Sequence, residues 1–308
     1  MAVVNSATLQ ALRTSFSAAF QNGLTNAPTQ YSKIATTVQS SSASNTYGWL
    51  GSFPKLQEWI GARPMTDIKE YGYQIQNKTW ADGIEVSRDQ IEDDNLGLYT
   101  SILQTMGQNA GVFPDELIFP LLTNGFNNPC YDGQNFFDTD HPVYANTDGT
   151  GTAASVANVY QQADDWTGSP FYLLDCSRPI KPLIYQNRRN PALTALTDPN
   201  SETVFTDNSF KYGCDLRSNA GYSFWQLAFA GLCDLTGDNL WTCWQAMRAI
   251  TGDGDRKLAI RPTHLVVPTA LEKQATQLLT WDITASQNGT VGNEWKSMKL
   301  ELVVADYL

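Results

Sequence analysis

The residues able to do chemistry are few: two histidines, five cysteines and a surplus of carboxylates. His141 closes the run Asp138-Thr139-Asp140-His141-Pro142, which has the residue types of a metal site or of a carboxylate–imidazole acid–base pair. The spacing argues against both. Adjacent residues rarely converge on one ion, and no second cluster supplies further ligands. A loop whose aspartates bond to their own backbone is the plainer reading. His264 lies in the apolar run His264-Leu265-Val266-Val267 and reads as a core histidine with a satisfied ring. Asp253 and Asp255, set around Gly252 and Gly254, hint at a calcium loop. The downstream glutamate of such a loop is missing, so they read as a turn.

Residues 149–154 match the form G-x-G-x-x-A, yet Ala145-Asn146-Thr147-Asp148 before them is no strand, as a dinucleotide fingerprint requires. No G-x-S-x-G elbow or phosphate-cradling G-x-x-x-x-G-K-[ST] loop occurs. Cys130, Cys176, Cys214, Cys233 and Cys243 are odd in number and form no C-x-x-C pair, which fits reduced, mostly buried thiols. No Cys–His pairing is visible. The expectation is no catalytic residue, no cofactor-binding residue, no metal ligand and no enzyme activity.

Charge narrows the partners. Twenty basic residues against 31 acidic ones leave a net charge of −11, and the densest basic group is only Arg188-Arg189. Binding nucleic acid through phosphate neutralisation needs basic clusters, so that class is excluded. Charged residues make up 17% of the chain, low for a folded domain, while nine tryptophans, 13 tyrosines and 13 phenylalanines are plentiful. Such a surface can be buried against neighbours at modest desolvation cost. Trp59, Trp225, Trp241 and Trp244 fall at apolar-periodic positions and read as core or interface rather than a sugar-binding face. There is no signal-peptide pattern, and no apolar run approaches the ~18 residues of a membrane helix.

Leu9, Leu12, Phe16, Ala19 and Phe20 predict an amino-terminal helix, with Ser6 as N-cap and Gly23 as its stop. Thr25–Asn45, polar but for Ile34 and Val38, reads as an arm. From Met65 to Ile91 two facing strands are expected, Tyr71–Gln76 and Ile84–Val86, with turn residues at 77–79 and 81–83. Tyr99, Ile102, Leu103, Met106, Ala110 and Phe113, continued by Leu117, Ile118, Leu121 and Leu122, make one helical stripe. Asp93 and Asp94 favour its start, and Pro114 should kink or break it. Strands are expected at Phe171–Leu174, Pro179–Tyr185 and His264–Val267, and a polar stretch from Asn187 to Ser209. A helix should span Leu240–Ile250, another should follow a capping box at Thr269 and Glu272, and a last strand should run from Leu300 to Tyr307. The fold class is α+β.

Several blocks carry a resemblance: Ser44–Pro64, Glu92–Tyr99 (EDDNLGLY), Pro129–Pro142 (PCYDGQNFFDTDHP), Phe171–Tyr185, Pro262–Pro268 (PTHLVVP) and the closing LELVVADYL. Together they resemble the major head subunits of Mu-like bacteriophages, a family similar to Hong Kong 97-type capsid proteins. The resemblance implies an amino-terminal arm (1–45), the start of a peripheral domain (46–64) and an extended loop (65–91). It further implies a peripheral domain with a spine helix (92–147), an axial domain (148–279) and a return to the peripheral domain (280–308).

The function so implied is self-assembly into pentamers and hexamers of an icosahedral tailed-phage head around double-stranded DNA. The partners implied are other copies, a separate scaffolding protein, a portal protein, decoration proteins, and packaged DNA without sequence-specific binding, with no membrane. The protein would belong to the virion after assembly in the bacterial cytoplasm. Lys69 and Lys78 lie in the expected loop and are the candidates for the lysine–asparagine cross-link some such shells form. An encapsulin-like compartment shell is the alternative, and a hydrolase using Asp138 or Asp140 a third reading.

Overall fold

The computed structural model describes residues 6–47, 72–92, 97–147, 149–198, 202–280, 283–286, 289–292 and 294–308. In chain order the first half holds α1 (Ser6–Thr25), α2 (Tyr31–Ile34), β1 (Ala35–Gln39), β2 (Ser44–Thr46), β3 (Gln74–Gln76), β4 (Lys78–Ser87), α3 (Arg88–Glu92) and α4 (Leu98–Asn124). There follow β5 (His141–Tyr144), β6 (Ala153–Val156), β7 (Val159–Gln161), β8 (Phe171–Leu174), β9 (Leu183–Leu196), α5 (Glu202–Asp207) and β10 (Ser209–Tyr222). The chain finishes with β11 (Ala228–Leu232), α6 (Gly237–Ala249), β12 (Thr251–Gly252), β13 (Arg256–Lys257), β14 (His264–Pro268), α7 (Glu272–Thr280), β15 (Ile283–Ser286), β16 (Gly289–Gly292) and β17 (Glu301–Ala305).

Two sheets organise the molecule. One has four strands in the order β1-β9-β10-β4, the other five in the order β17-β14-β8-β11-β7. The first is built on the long β9–β10 hairpin. Phe210, Tyr212, Cys214 and Leu216 are buried, alternating with the half-exposed Lys211, Gly213, Asp215 and Arg217, as the two-residue pleat demands. In the second sheet Phe171–Leu174 and Leu265–Val267 are wholly buried, and α6 packs on β8 and β11 while α7 packs on β14 and β17. One apolar cluster joins both sheets. A second gathers Phe16 and Phe20 of α1, Leu103 and Met106 of α4, and Val204, Phe210 and Tyr212 near the far end of the hairpin.

α4 differs from its expectation. It runs unbroken for 27 residues through Pro114 and Pro120. Proline removes one backbone bond, but Leu103, Met106, Ile118, Phe119 and Leu122 are all buried along the same helix, and that packing keeps it continuous past the defect. Its N-cap is Gly97 in the left-handed region (φ 65°); Asp93 and Asp94 lie outside the described residues. Nor does Gly23 stop α1. A Cβ there would sit 1.9 Å from the Gln104 carbonyl oxygen, and one at Gly107 would sit 2.0 Å from that of Phe20. These glycines are spaces, letting two helix backbones touch.

The facing-strand expectation is corrected as well. β3 pairs with β2, whereas β4 pairs antiparallel with β10 from Lys78–Ser218 to Ser87–Ser209. The presumed turn residues 78–79 and 81–83 lie inside β4; Gly83 is tolerated opposite Gly213, where neither strand loses a side-chain contact. Met65–Tyr71 lies outside the described residues. The expected arm is also partly core, because β1 lies parallel to Leu183–Asn187 and Ile34 is fully buried. The polar stretch after Asn187 continues as strand to Leu196, and Thr269 opens a 3-10 turn ahead of α7 rather than capping it. Pairing joins segments distant in the chain: β1 and β4 lie beside β9 and β10, and β17 lies beside β14.

Replacing Gly107 with leucine should cost at least ~2 kcal/mol in denaturant-monitored unfolding, since the new side chain meets backbone that cannot give way. Gly72→Ala, where a Cβ meets nothing within 4 Å, is the matched control and should leave the midpoint nearly unchanged.

Candidate functional site

Sequence reasoning missed the most concentrated group of reactive side chains. A tight turn at Asp132-Gly133, with Gly133 at φ 92°, folds residues 130–134 back on themselves. The Cys130 amide donates to the Gln134 carbonyl at 2.8 Å, and the Gln134 amide donates to Asp132 Oδ1 at 3.1 Å. β5 then delivers His141 to the same carboxylate. The Cys130 thiol donates to Asp132 Oδ1 at 3.0 Å, and His141 Nδ1 lies 2.8 Å from Asp132 Oδ2. His141 is fully buried, its ring stacked on Trp225 at 3.9 Å and 7°. Burial and the adjacent Asp132 carboxylate push the Cys130 thiol well above its ordinary value. Burial also opposes ionisation of Asp132, but the bonds from His141 and Cys130 outweigh it and hold that carboxyl below its usual value.

His141 therefore meets ligand-type residues after all, and a Cys–His proximity that no sequence spacing displayed is present. The legible signal was the Asp-Gly turn, which places Cys130 and Asp132 on one side of a bend. Asp138 and Asp140 are placed differently. Asp138 caps the Asn135 and Thr139 amides, as the loop reading expected, and Asp140, exposed, is raised above its ordinary value chiefly by sharing a hydrogen bond with Asp138. Asn158, fully buried, ties this loop to β7 by donating to the Phe136 carbonyl and accepting from the Asp138 amide. Residues 149–152 are the turn between β5 and β6, not a nucleotide loop. Asp253 lies in the β12–β13 turn and accepts the Tyr144 amide. His264 bonds Thr263 Oγ1 and lies 3.4 Å from Glu301; burial lowers its pKa.

A second kind of site is surface. At the far end of the hairpin and the start of α4, Phe205 is 89% exposed, Leu98 58%, Ile102 45% and Leu196 43%. On α6, Trp241 stacks on Trp244 at 4.9 Å, Arg248 covers the other ring, and Trp241 stays 37% exposed. Trp225 is core, as expected, and Trp59 lies outside the described residues. A cleft of about 280 Å³ lies between Pro28–Gln30, α4 and Asp306–Tyr307, lined by Asp115, Glu116 and Asp306. In its wall, the Gln30 and Tyr31 amides donate to the Asp115 carboxylate at 2.9 and 2.7 Å, which fastens α2 to α4. No helix among the described residues is long and apolar enough to cross a membrane.

Neither surface has the form of a catalytic pocket. The profile of the family described as Mu-like prophage major head subunit gpT matches residues 9–308. The chain belongs to this family. It is 56% identical over 306 residues to the major capsid protein of Escherichia phage Mu, covering 99% of this chain and 100% of that one. It is 52% identical over 312 residues to the Mu-like prophage FluMu major head subunit of Haemophilus influenzae, covering 100% of each.

Among solved structures, a chain from the procapsid of bacteriophage JBD30 superposes with a TM-score of 0.87 at 46% identity, covering 99% of this chain and 100% of that one. A chain from the JBD30 capsid gives 0.76 at 34% identity, covering 99% of each. The capsid decorated with minor capsid protein trimers gives 0.74 at 35%, covering 100% of each. The Mu-like head subunit is thus a capsid protein of the virion with the Hong Kong 97-type fold, and copies of it form a capsid lattice.

Asp115→Ala leaves the Gln30 and Tyr31 amides without their acceptor. The expected result is a loss of about 1–3 kcal/mol in global stability, with faster proteolytic cleavage between α1 and α2 than in the parent.

Proposed function

We propose that this head subunit closes with its own copies into pentamers and hexamers of an icosahedral shell around double-stranded DNA, passing first through a procapsid. The observation that carries the precursor step is the shape of the chain, which fits the procapsid subunit (0.87) better than the capsid subunits (0.76 and 0.74). The apolar residues left bare at the hairpin tip support lattice contact: burying one such side chain contributes roughly 1.5–3 kcal/mol. Contacts this small suffice when every subunit makes many of them.

In this reading α4 and the four-stranded sheet form the peripheral part, and the five-stranded sheet with α6 and α7 forms the axial part. The extended loop takes residues 65–91; at its described start β3 is held beside β2 by the pairing of Ser44–Thr46 with Gln74–Gln76. A separate scaffolding protein and a portal protein act in assembly. Decoration proteins bind outside, as the decorated relative suggests. An acidic chain (net charge −11) lines a container without gripping the DNA. No enzymatic step is assigned: Asp138 and Asp140 are occupied by each other and by backbone amides. An encapsulin-like compartment loses support because both full-length relatives are phage or prophage head proteins.

The test is negative-stain microscopy of the chain co-expressed with its scaffolding protein. Closed shells are expected, and Phe205→Asp should reduce their yield at least tenfold while leaving the subunit's circular dichroism unchanged. The double variant Asp138→Asn, Asp140→Asn should assemble as the parent does. A parent chain that stays monomeric with its scaffold would overturn the reading. Mature heads that run as a single monomer band on denaturing gels would exclude a cross-link through Lys69 or Lys78.

A further inference from the structure

We propose that the Pro129–His141 loop binds one borderline-soft divalent cation, zinc foremost, through Cys130 Sγ, the Asp132 carboxylate and His141 Nδ1. All three donor atoms lie within 4.8 Å of one another. Thiolate, carboxylate and imidazole are the donor types that zinc takes, and three protein ligands leave a fourth position for water. The donors are also held in place. The His141 ring is clamped flat on Trp225, the Cys130 amide is bonded to Gln134, and Asp132 takes the Gln134 amide.

Charge supplies the motive. Asp132 has a side chain 6% exposed, and among the described residues its ion-pair partner is the neighbouring imidazole, with no lysine or arginine paired to it. The protons now shared with Asp132 sit on the thiol and the imidazole, on the path between the three donors. On binding, the thiol proton leaves to solvent and the imidazole proton moves from Nδ1 to Nε2, an atom with no other partner. Thiolate and carboxylate then balance the two positive charges, so the loop becomes neutral in a place where net charge is costly. The bound cation would staple the loop, and with it β5, beneath Trp225.

The experiment titrates the purified full-length chain with cobalt(II) and then displaces it with zinc, reading the thiolate-to-cobalt charge-transfer absorption. One equivalent per chain is expected to develop the band, and zinc should raise Tm, an effect a chelator reverses. Cys130→Ser should abolish the band, His141→Gln should weaken affinity at least about tenfold, and Cys176→Ser, which removes a thiol outside the cluster, should bind as the parent does. Absence of stoichiometric binding by the parent chain overturns the proposal whether or not the variants fold. So does an undiminished band in Cys130→Ser, which would place the metal on other thiols and leave the trio a hydrogen-bonded staple.

Discussion

The subunit depends on two helix backbones being able to touch. α1 crosses α4 where Gly23 and Gly107 leave no side chain between them, so that carbonyl oxygens of one helix lie where a Cβ of the other would be. Only at that separation can Phe16 and Phe20 reach past α4 to Tyr212; Phe16 meets its ring edge-on at 5.2 Å. At the far half of the β9–β10 hairpin the apolar face is covered by α1, α4 and, at the tip, Val204 of the short α5. Push the helices apart by one methyl group and the second core opens, leaving α4 exposed on one side and the hairpin on the other. The two prolines inside α4 show how much this packing overrides: a helix held on both sides continues where an isolated one would break.

Legibility in the sequence followed burial period. The α4 stripe, the strands at 171–174 and 264–267 and the closing strand were plain because their side chains repeat at the helical or strand period. What escaped shares a different property: it is fixed by partners far away in the chain. β1 has too few apolar residues to announce itself, yet Ile34 and Ala35 are buried because Asp115, some eighty residues on, caps the turn before them. β4 contains turn-forming residues but has β10 beside it for its whole length. Gly23 looks like a stop until the opposing backbone is seen. The Cys130–Asp132–His141 group failed to show for the same reason, since a reactive trio is recognised by convergence and sequence displays only order.

Buried polar groups tell the rest of the story. Gln186 is fully enclosed, accepts the Tyr47 hydroxyl and donates to the Ile75 carbonyl and to Asn77 Oδ1. Asn77 in turn donates to Ser40 and Ser42. An apolar residue at 186 would remove three hydrogen bonds at once, at a cost of about 1–3 kcal/mol for each buried group left unsatisfied. Such a network adds little net stability, but it admits one arrangement: the short pair β2–β3 can lie against β9 in that register and no other. The base of the segment between β2 and β3 is thereby fixed to the rigid part of the molecule.

A shell subunit has to be rigid in one place and adaptable in another, and the distribution of side chains separates the two. Inside, registers are set by groups that tolerate no alternative, such as Gln186, Asn158 and Asp115. Outside, the bare side chains at the hairpin tip, Phe205 above all, are apolar and so largely indifferent to direction, able to meet a neighbour over a range of angles. Copies packed into a capsid lattice are served by that tolerance, because apolar contact does not prescribe one angle of approach. The low content of charged residues serves the same end, since an ion pair demands one geometry and a phenyl ring does not. Specific bonding within and unspecific cohesion without suit a subunit that keeps one fold while it packs against copies of itself.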